Sequence, residues 1–437
     1  MLVFAHKNNM HTLSWNYIKE KWNHAGFQKY FRNTGWMLFS KILSMAISFV
    51  VTAYVARNLG PLNYGQLSYA ISFVAIFSFI AGLGIDHVLF RELISNPEKK
   101  KEFLGSAIII KFFAGIVAMI LTVFFGFYFG QDDVSKILIY ILSGTFIFNA
   151  FQVLSYEFQA QVKSKYPSVI SITVTVILNL LKVIVIFFNK GVIYLSIILF
   201  VESVLYMIFY WFAYEKILKE KITDLVFNKK VAITLLNDSW PLIFTSAFSL
   251  IYARIDQILI KHMLGATAVG IYNSAVVIAE VWYFLPVIII TSVWPAVINS
   301  KKISEELYYK RLLKLGIFLT AIAVAVSIIV TFISPFIIKI IFGSAFAEAS
   351  TILKIYVWAC VGTFLIYLTN YYLVAENNKK GLIFLTFVPM IINIILNILW
   401  IPKYGIVGSA YATLISYSIG PISLFILKDK IKGLLKK

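Results

Sequence analysis

The sequence predicts an all-α integral membrane protein of about twelve transmembrane helices, built as two six-helix lobes related by a parallel repeat. Three observations predict it: the length of the apolar runs, the alternation of basic loops, and a motif that recurs in the second half. Of the 437 residues, 60% are hydrophobic and 14% are charged, whereas a soluble chain carries about a quarter charged residues. The apolar excess falls in runs of about 20 residues, the length that crosses a hydrocarbon core of roughly 30 Å.

Spans are expected at 34–56, 66–86, 104–129, 137–160, 168–188, 192–214, 241–263, 270–298, 312–334, 350–375, 381–400 and 405–427. The first is too long for the apolar core of a signal peptide and runs straight into more spans. Ahead of it, Trp15, Ile18 and Trp22 recur at helical spacing beside Lys19 and Lys21, as in a short interfacial helix; an unstructured leader is the alternative. The expected organisation is a segment 1–33, an N-lobe 34–214, a linker 215–240, a C-lobe 241–427 and a basic tail 428–437.

Orientation follows from the basic residues, because short cytoplasmic loops accumulate Lys and Arg. With the N-terminus placed in the cytoplasm, 28 of the 39 Lys and Arg fall on that side. Six fall opposite (Arg57, Lys136, Lys190, Lys261, Lys339, Lys403), and five lie within runs (Lys41, Lys111, Lys182, Arg254, Lys354). Each inner loop is richer than its outer neighbours, and an even span count returns the C-terminus to the cytoplasm. The net charge of +19 is therefore a topology signal. Nucleic-acid binding is excluded, since no soluble basic domain exists to carry it. The single Cys360 and five scattered histidines give no disulfide framework and no metal-ligand spacing. The outer loops are all short, which argues against a membrane-embedded polymerase or ligase.

The halves echo each other. Leu59-Gly60, Gly65 and Ala70 recur at the same spacing as Leu264-Gly265, Gly270 and Ala275. Weaker matches pair Ala160 and Lys165 with Ala375 and Lys380, then Leu178-Asn179 and Gly191 with Leu396-Asn397 and Gly405. Six spans per half make the repeat parallel, as in transporters whose halves rock about an axis along the membrane normal.

Ionisable groups inside spans are costly and mark sites by default. The cationic candidates are Lys41, Lys111, Lys182 and Arg254; the polar-lining and ion-coupling candidates are Glu202, Asp256, Glu280, Asn149, Gln152 and Asn179. Lys41 heads a stripe with Ser44 and Ser48; Lys182 closes one with Ser171, Thr175 and Asn179. Asn149, Gln152, Tyr156 and Gln159 share a face, as do Glu202, Tyr206 and Tyr210. These stripes can line a hydrated cavity, or serve as hydrogen-bonded seams between helices; Lys41, Lys111 and Lys182 can also snorkel to a membrane surface. Arg254 and Asp256 are two apart and do not face each other. Asp256 belongs to a stripe with Thr245, Ser249 and Tyr252, and Glu280 is the candidate partner for Arg254. Pro286, Pro389 and Pro421 are expected inside spans, as hinges or as static kinks.

Ala56-Arg57-Asn58-Leu59-Gly60-Pro61 with Tyr64-Gly65, then Gly82-Leu83-Gly84-Ile85-Asp86 and Arg91-Glu92, resembles the opening of the polysaccharide-exporter family of O-antigen and capsule-unit flippases. Tyr252-Ala253-Arg254-Ile255-Asp256-Gln257-Ile258, with Gly270-Ile271-Tyr272 and Ala275, resembles the seventh and eighth spans of that family. The similarity runs from about Arg32. It implies the two-lobed fold of the multidrug/oligosaccharidyl-lipid/polysaccharide (MOP) flippase superfamily in a bacterial inner membrane. It implies a substrate of sugar repeat units on undecaprenyl pyrophosphate, moved to the outer leaflet by alternating access through a cation-lined cavity. Proton or sodium coupling without a bound cofactor, and partners among membrane lipids and polysaccharide polymerase or export proteins, are implied in the same way. Lysine and arginine suit a pyrophosphate that cannot cross hydrocarbon uncompensated. A lipid II or teichoic-type precursor flippase and a drug/cation antiporter remain alternatives within the superfamily.

Overall fold

The computed structural model describes residues 25–418, with side chains described from Asn33 onward. Trp15, Ile18, Trp22, Pro421 and the basic tail 428–437 lie outside the described residues. The described chain forms α1 (Ala25–Gly82), α2 (Ile85–Ser95), α3 (Lys100–Phe129), α4 (Asp133–Ser143), α5 (Thr145–Asn149), α6 (Leu154–Ala160), α7 (Lys165–Phe187) and α8 (Val192–Ile217). Then follow α9 (Lys229–Leu264), α10 (Ala266–Glu280), α11 (Phe284–Ser300), α12 (Glu305–Ile341), α13 (Ala349–Tyr356), α14 (Ala359–Ala375) and α15 (Lys379–Tyr417).

Among the described residues nine helical segments are long and apolar enough to cross a membrane, or ten when the pair α13–α14, bent by 41°, counts as one span. Two of the nine are broken inside, α1 at Gly60 (φ 72°, ψ 170°) and α15 at Gly405 (φ 62°, ψ −147°). Divided there, they are compatible with the twelve expected spans.

The breaks correct the expected boundaries. The second span begins at Pro61 rather than residue 66, since proline suits a first helical position, and it ends at Gly82. Asp86 therefore starts a new helix, α2, after Gly84 in the left-handed region (φ 60°). The fourth span is not one regular helix: α4, α5, a 3-10 turn Ala150–Val153 and α6 follow one another. Gly144 sits at the α4–α5 break, where a Cβ would meet the Phe200 ring at 2.7 Å. The eighth span breaks at the 3-10 turn Val281–Tyr283, and Pro286 falls in the first turn of α11, where a missing N–H leaves no intrahelical bond unmade. The linker is shorter than 215–240, because Asn228 caps α9, its side chain accepting from the Lys230 N–H at 2.9 Å.

That linker is docked on the N-lobe. The Val226 N–H donates to the Lys101 carbonyl at 3.3 Å, and the Asn228 N–H donates to Ser106 Oγ at 3.0 Å. Asn228 Nδ2 also donates to Glu102.

The repeat is visible in the backbone. Gly60 and Gly265 (φ 90°, ψ 176°) adopt the same conformation, one that L side chains rarely take. Ala160 and Ala375 each end a helix, and two residues later Val162 (φ 58°) and Asn377 (φ 51°) both turn left-handed. Asn179 Nδ2 donates to the Thr175 carbonyl at 2.8 Å, and Asn397 Nδ2 to the Asn393 carbonyl at 2.9 Å. Both asparagine Oδ1 atoms are buried without a hydrogen-bond partner.

The lobes meet along the second span, α9 and α10. Gly65 and Gly270, equivalent in the repeat, cross there: a Cβ on Gly65 would lie 1.8 Å from the Ala266 carbonyl oxygen, and one on Gly270 would lie 2.1 Å from that of Pro61. Small residues at such a crossing let backbones touch, and van der Waals packing holds helices together where lipid removes any hydrophobic drive. One core cluster continues through the seam, with Tyr69, Leu138 and Leu195 on one side and Ile260, Tyr272 and Phe346 on the other.

Candidate functional site

In the N-lobe a cavity of about 400 Å³ opens between the second, fourth and sixth spans; Asn149, Gln152, Glu202 and Tyr206 are among its lining residues. The first two members of each stripe on the fourth and sixth spans thus face one space, while Tyr156, Gln159 and Tyr210 are not among the lining residues. The broken fourth span turns Asn149 and Gln152 toward each other, Gln152 Nε2 donating to Asn149 Oδ1 at 2.9 Å. Lys182, on α7, is near enough to Glu202 for the two charges to interact, without an ion pair between them inside 4 Å.

The other polar stripes meet as a helix seam. Asn179 Nδ2 lies 3.4 Å from Ser48 Oγ, so the face of the first span that carries Ser44 and Ser48 packs on the seventh helix. Lys41, at the head of that face, is exposed and has no ion-pair partner among the described residues.

Lys111 is not a free cation. It is 7% exposed, and its Nζ donates to Asp86 Oδ1 at 2.7 Å. Burial of an ammonium is tolerated only with such a partner, and Asp86 is that partner for Lys111. Asp86, part of the opening motif, is the partner that spacing along the chain could not supply.

Arg254 Nη2 lies 3.6 Å from Glu280 Oε2, a loose pair that joins the seventh span to the eighth. Tyr356 OH donates to Glu280 Oε1 at 3.5 Å. Glu280 occupies the repeat position of Ala75, which lines the N-lobe cavity.

Asp256 is 3% exposed and caged. Thr413 Oγ1 donates to it at 2.6 Å, Tyr272 OH at 2.7 Å and Asn397 Nδ2 at 3.0 Å. Asn393 adds a further amide beside Asn397. Among the described residues no basic side chain lies within 4 Å, and the hydrogen-bond partners of Asp256 are all neutral. Asp256 shares one helix with Thr245, Ser249 and Tyr252, and its hydrogen-bond partners come from α10 and α15.

Arg57, Tyr64 and Gln257 of the quoted motifs, with further residues that the sequence did not single out, tie the lobe interface together at and below the end of the Gly60 and Gly265 turns. Lys261 Nζ donates to Asp132 Oδ2 at 2.6 Å, and Lys261 is 4% exposed in the last turn of α9 rather than in a loop. Gln131 Nε2 contacts His262 Nδ1 at 2.9 Å, and Arg57 Nη1 donates to the Ile340 carbonyl at 3.2 Å. Asn273 Nδ2 donates to Tyr64 OH and to Ser68 Oγ, both at 2.9 Å. Deeper in, Ser72 Oγ donates to Gln257 Oε1 at 2.7 Å. Only the Asp-Asp-Val-Ser cap at 132–135 left a local signal, Asp132 accepting from the Ser135 N–H at 2.8 Å.

The family model for polysaccharide biosynthesis proteins matches residues 30–300, more than half of the chain. The chain belongs to the polysaccharide biosynthesis protein family. The model for the lipid II flippase MurJ matches residues 225–437. The capsular polysaccharide biosynthesis protein CapF of Staphylococcus aureus is 23% identical, covering 92% of this chain and 99% of its own length. The structure of the lipid II flippase MurJ in an inward closed conformation superimposes with a TM-score of 0.70 at 19% identity, covering 92% of this chain and 87% of that one. An inward-facing multidrug resistance MATE family transporter of the MOP superfamily gives 0.68 at 12% identity, covering 88% and 96%. The chain is thus a member of the polysaccharide biosynthesis protein family with the fold of the MurJ and MATE structures. In this fold, the N-lobe cavity, the Arg254–Glu280 pair and the Asp256 cage place polar groups inside the helical spans.

Proposed function

We propose that this flippase carries oligosaccharide repeat units linked to undecaprenyl pyrophosphate from the cytoplasmic to the outer leaflet of a bacterial inner membrane, by alternating access between its lobes. Both termini lie in the cytoplasm in this reading, so the Gly60 and Gly265 turns face outward. The observation that carries it is the seam: it is interlocked at the outward end by Gly65 and Gly270, while polar groups of both lobes remain inside the helical spans beneath it. Such a seam must part for a headgroup to leave, and a seam between rigid lobes parts by rocking.

The pyrophosphate needs positive charge along its path. Arg254, 3.6 Å from Glu280 rather than in hydrogen-bond contact, keeps guanidinium donors for a phosphate oxygen. Lys41 and Lys182 supply the other cations, and Lys111, bound to Asp86, supplies none. A proton or sodium gradient drives the cycle in this reading. The residues that would hold the coupling ion are Asp256, Asn393, Asn397 and Thr413: a carboxylate, amide oxygens and a hydroxyl suit a proton or a hard cation, and Asn397 Oδ1 is buried without a partner.

The test is a deletion strain complemented with Lys41→Ala, Lys182→Ala and Arg254→Ala singly. Loss of surface polysaccharide, with lipid-linked precursor accumulating in the inner leaflet, is expected from the deletion and from at least Arg254→Ala. If all three variants insert and export at the wild-type level, the cationic path is wrong. The second reading, a cation-coupled drug exporter, has Glu202 in the cavity wall in its favour. Sensitivity of the deletion strain to cationic dyes, with intact surface glycan, would select it.

A further inference from the structure

We infer that the N-lobe cavity is a subsite for a neutral or N-acetylated sugar of the repeat unit, distinct from the groups that take the pyrophosphate. The inference rests on the flippase reading for the identity of its ligand, but its geometry stands alone. A site for a polyhydroxylated ring needs donors and acceptors converging on one space beside an apolar wall, within the roughly 300–1,000 Å³ of small-molecule pockets; this cavity measures about 400 Å³.

The polar groups divide into committed and free. Ser78, Thr145 and Ser203 give their hydroxyl protons to the carbonyls of Ala75, Leu142 and Phe200, each at 2.7 Å. Asn149 and Gln152 use one edge each on their mutual bond, which leaves Asn149 Nδ2 as a donor and Gln152 Oε1 as an acceptor. The Glu202 carboxylate accepts no hydrogen bond from the described residues, and sugar hydroxyls are donors that suit it. Tyr206 stacks on Tyr210 with centroids 6.0 Å apart and planes 15° apart. That fixes one tyrosine of the wall at little further entropy cost, while Val74, Phe146 and Leu199 supply apolar surface.

The charge pattern chooses among ligands. The lining holds one carboxylate and no basic side chain, so a uronate or a phosphate would bring like charges together. A uronate or a phosphate therefore finds no cation on the wall to bind. Besides Glu202 the wall offers only neutral donors and acceptors, and a neutral sugar uses both.

The experiment takes the full-length protein in lipid nanodiscs and measures saturation-transfer NMR with free N-acetylglucosamine, with glucuronate and with a cationic dye as probes. N-acetylglucosamine is expected to receive saturation and glucuronate is not. The Asn149→Ala/Gln152→Ala double variant is expected to lose the signal at least fivefold, whereas Arg254→Ala keeps it. Ala75→Leu, which fills the cavity and removes no polar group, is the second variant for the case that the double variant misfolds. Equal signal from glucuronate, retention of signal by the folded variants, or binding of the dye in place of the sugar would overturn the subsite. If sugar binds as expected but the deletion strain exports normally, the flippase reading fails and the subsite stands. If deletion abolishes export while the cavity variants bind and export like wild type, the subsite fails and the flippase reading stands.

Discussion

At the scale of the residue, the buried lysines Lys111 and Lys261 each have a carboxylate beside them. Lys111 and Asp86 are 2.7 Å apart with the lysine 7% exposed. Asp86 is 39% exposed, so removing it costs less than the about 3–5 kcal/mol of breaking a fully buried pair, whereas replacing both by apolar groups is near neutral. Asp86→Ala is expected to lower the thermal midpoint in detergent, and Asp86→Ala/Lys111→Met is expected to recover most of the loss; a double variant no more stable than the single would deny the pairing its role. Asp256 is the opposite case, a carboxylate held by neutral donors. Asp256→Asn keeps the shape of the cage and forfeits the charge, so it is expected to fold with a midpoint near wild type and to lose ion-dependent export in a complementation assay. Asp256→Ala instead strands the donors of Tyr272, Thr413 and Asn397, at about 1–3 kcal/mol for each unpaired group. Little of this was legible beforehand. The sequence marks Lys111 and Asp256 as charges inside spans, because composition and run length suffice for that. It could not pair Lys111 with a residue on another helix, nor surround Asp256 with groups from α10 and α15, because both depend on helix packing.

At the scale of the element, the seam at the Gly60 and Gly265 turns combines a backbone crossing with an ion pair between lobes. A Cβ on Gly65 would sit 1.8 Å from a backbone oxygen of α10, which no side-chain rotation relieves, so Gly65→Ala is expected to force the seam open. Thiol labelling of a cysteine placed at Ser72, behind the crossing, should rise several-fold in that variant; unchanged labelling would mean the helices can slide apart without exposing the seam. The ion pair has a defined pH response. Burial works to raise the Asp132 carboxyl, but its bonds to Lys261 and to the N–H and hydroxyl of Ser135 outweigh it and leave the pKa below the usual value. A depressed carboxylate pKa stabilises the closed seam above the ordinary range and loses that contribution only as pH falls through the depressed value. Closure measured by labelling at Ser72 is therefore expected to be flat from about pH 5 to 8. Asp132→Asn should imitate the acid state at every pH, weakening closure by about 2 kcal/mol, the low end for a hydrogen-bonded charge pair, because Asp132 is a third exposed. The helices themselves were legible from run length, but their interruptions were not. The 3-10 turns at 150–153 and 281–283 contain neither proline nor glycine; only Gly144 and Pro286 nearby carried a trace of them.

At the scale of the whole molecule, the repeat is what the sequence recorded best, since it needs only spacing. Leu59-Gly60 and Leu264-Gly265 mark equivalent turns with matching backbone angles, and Gly65 and Gly270 meet because each is the counterpart of the other across the seam. Cross-lobe pairs such as Asp132 with Lys261, 129 positions apart, were illegible because they reflect how the lobes dock. A two-lobed body that works by rocking must fail when the lobes are tied at the seam. Ser68 and Asn273 lie on the two sides of it, Oγ to Nδ2 at 2.9 Å, and the lone native thiol, Cys360, is buried, so introduced cysteines can be addressed selectively. In a Ser68→Cys/Asn273→Cys variant a short methanethiosulfonate cross-linker should join the second span to the eighth. Export of surface polysaccharide should fall to the level of the deletion strain and return on reduction. Each single-cysteine variant should export normally under the same treatment, which separates tying the lobes from modifying either helix. Continued export by a chain shown to be cross-linked would mean that substrate passes without the seam parting, and alternating access between the lobes would have to be abandoned.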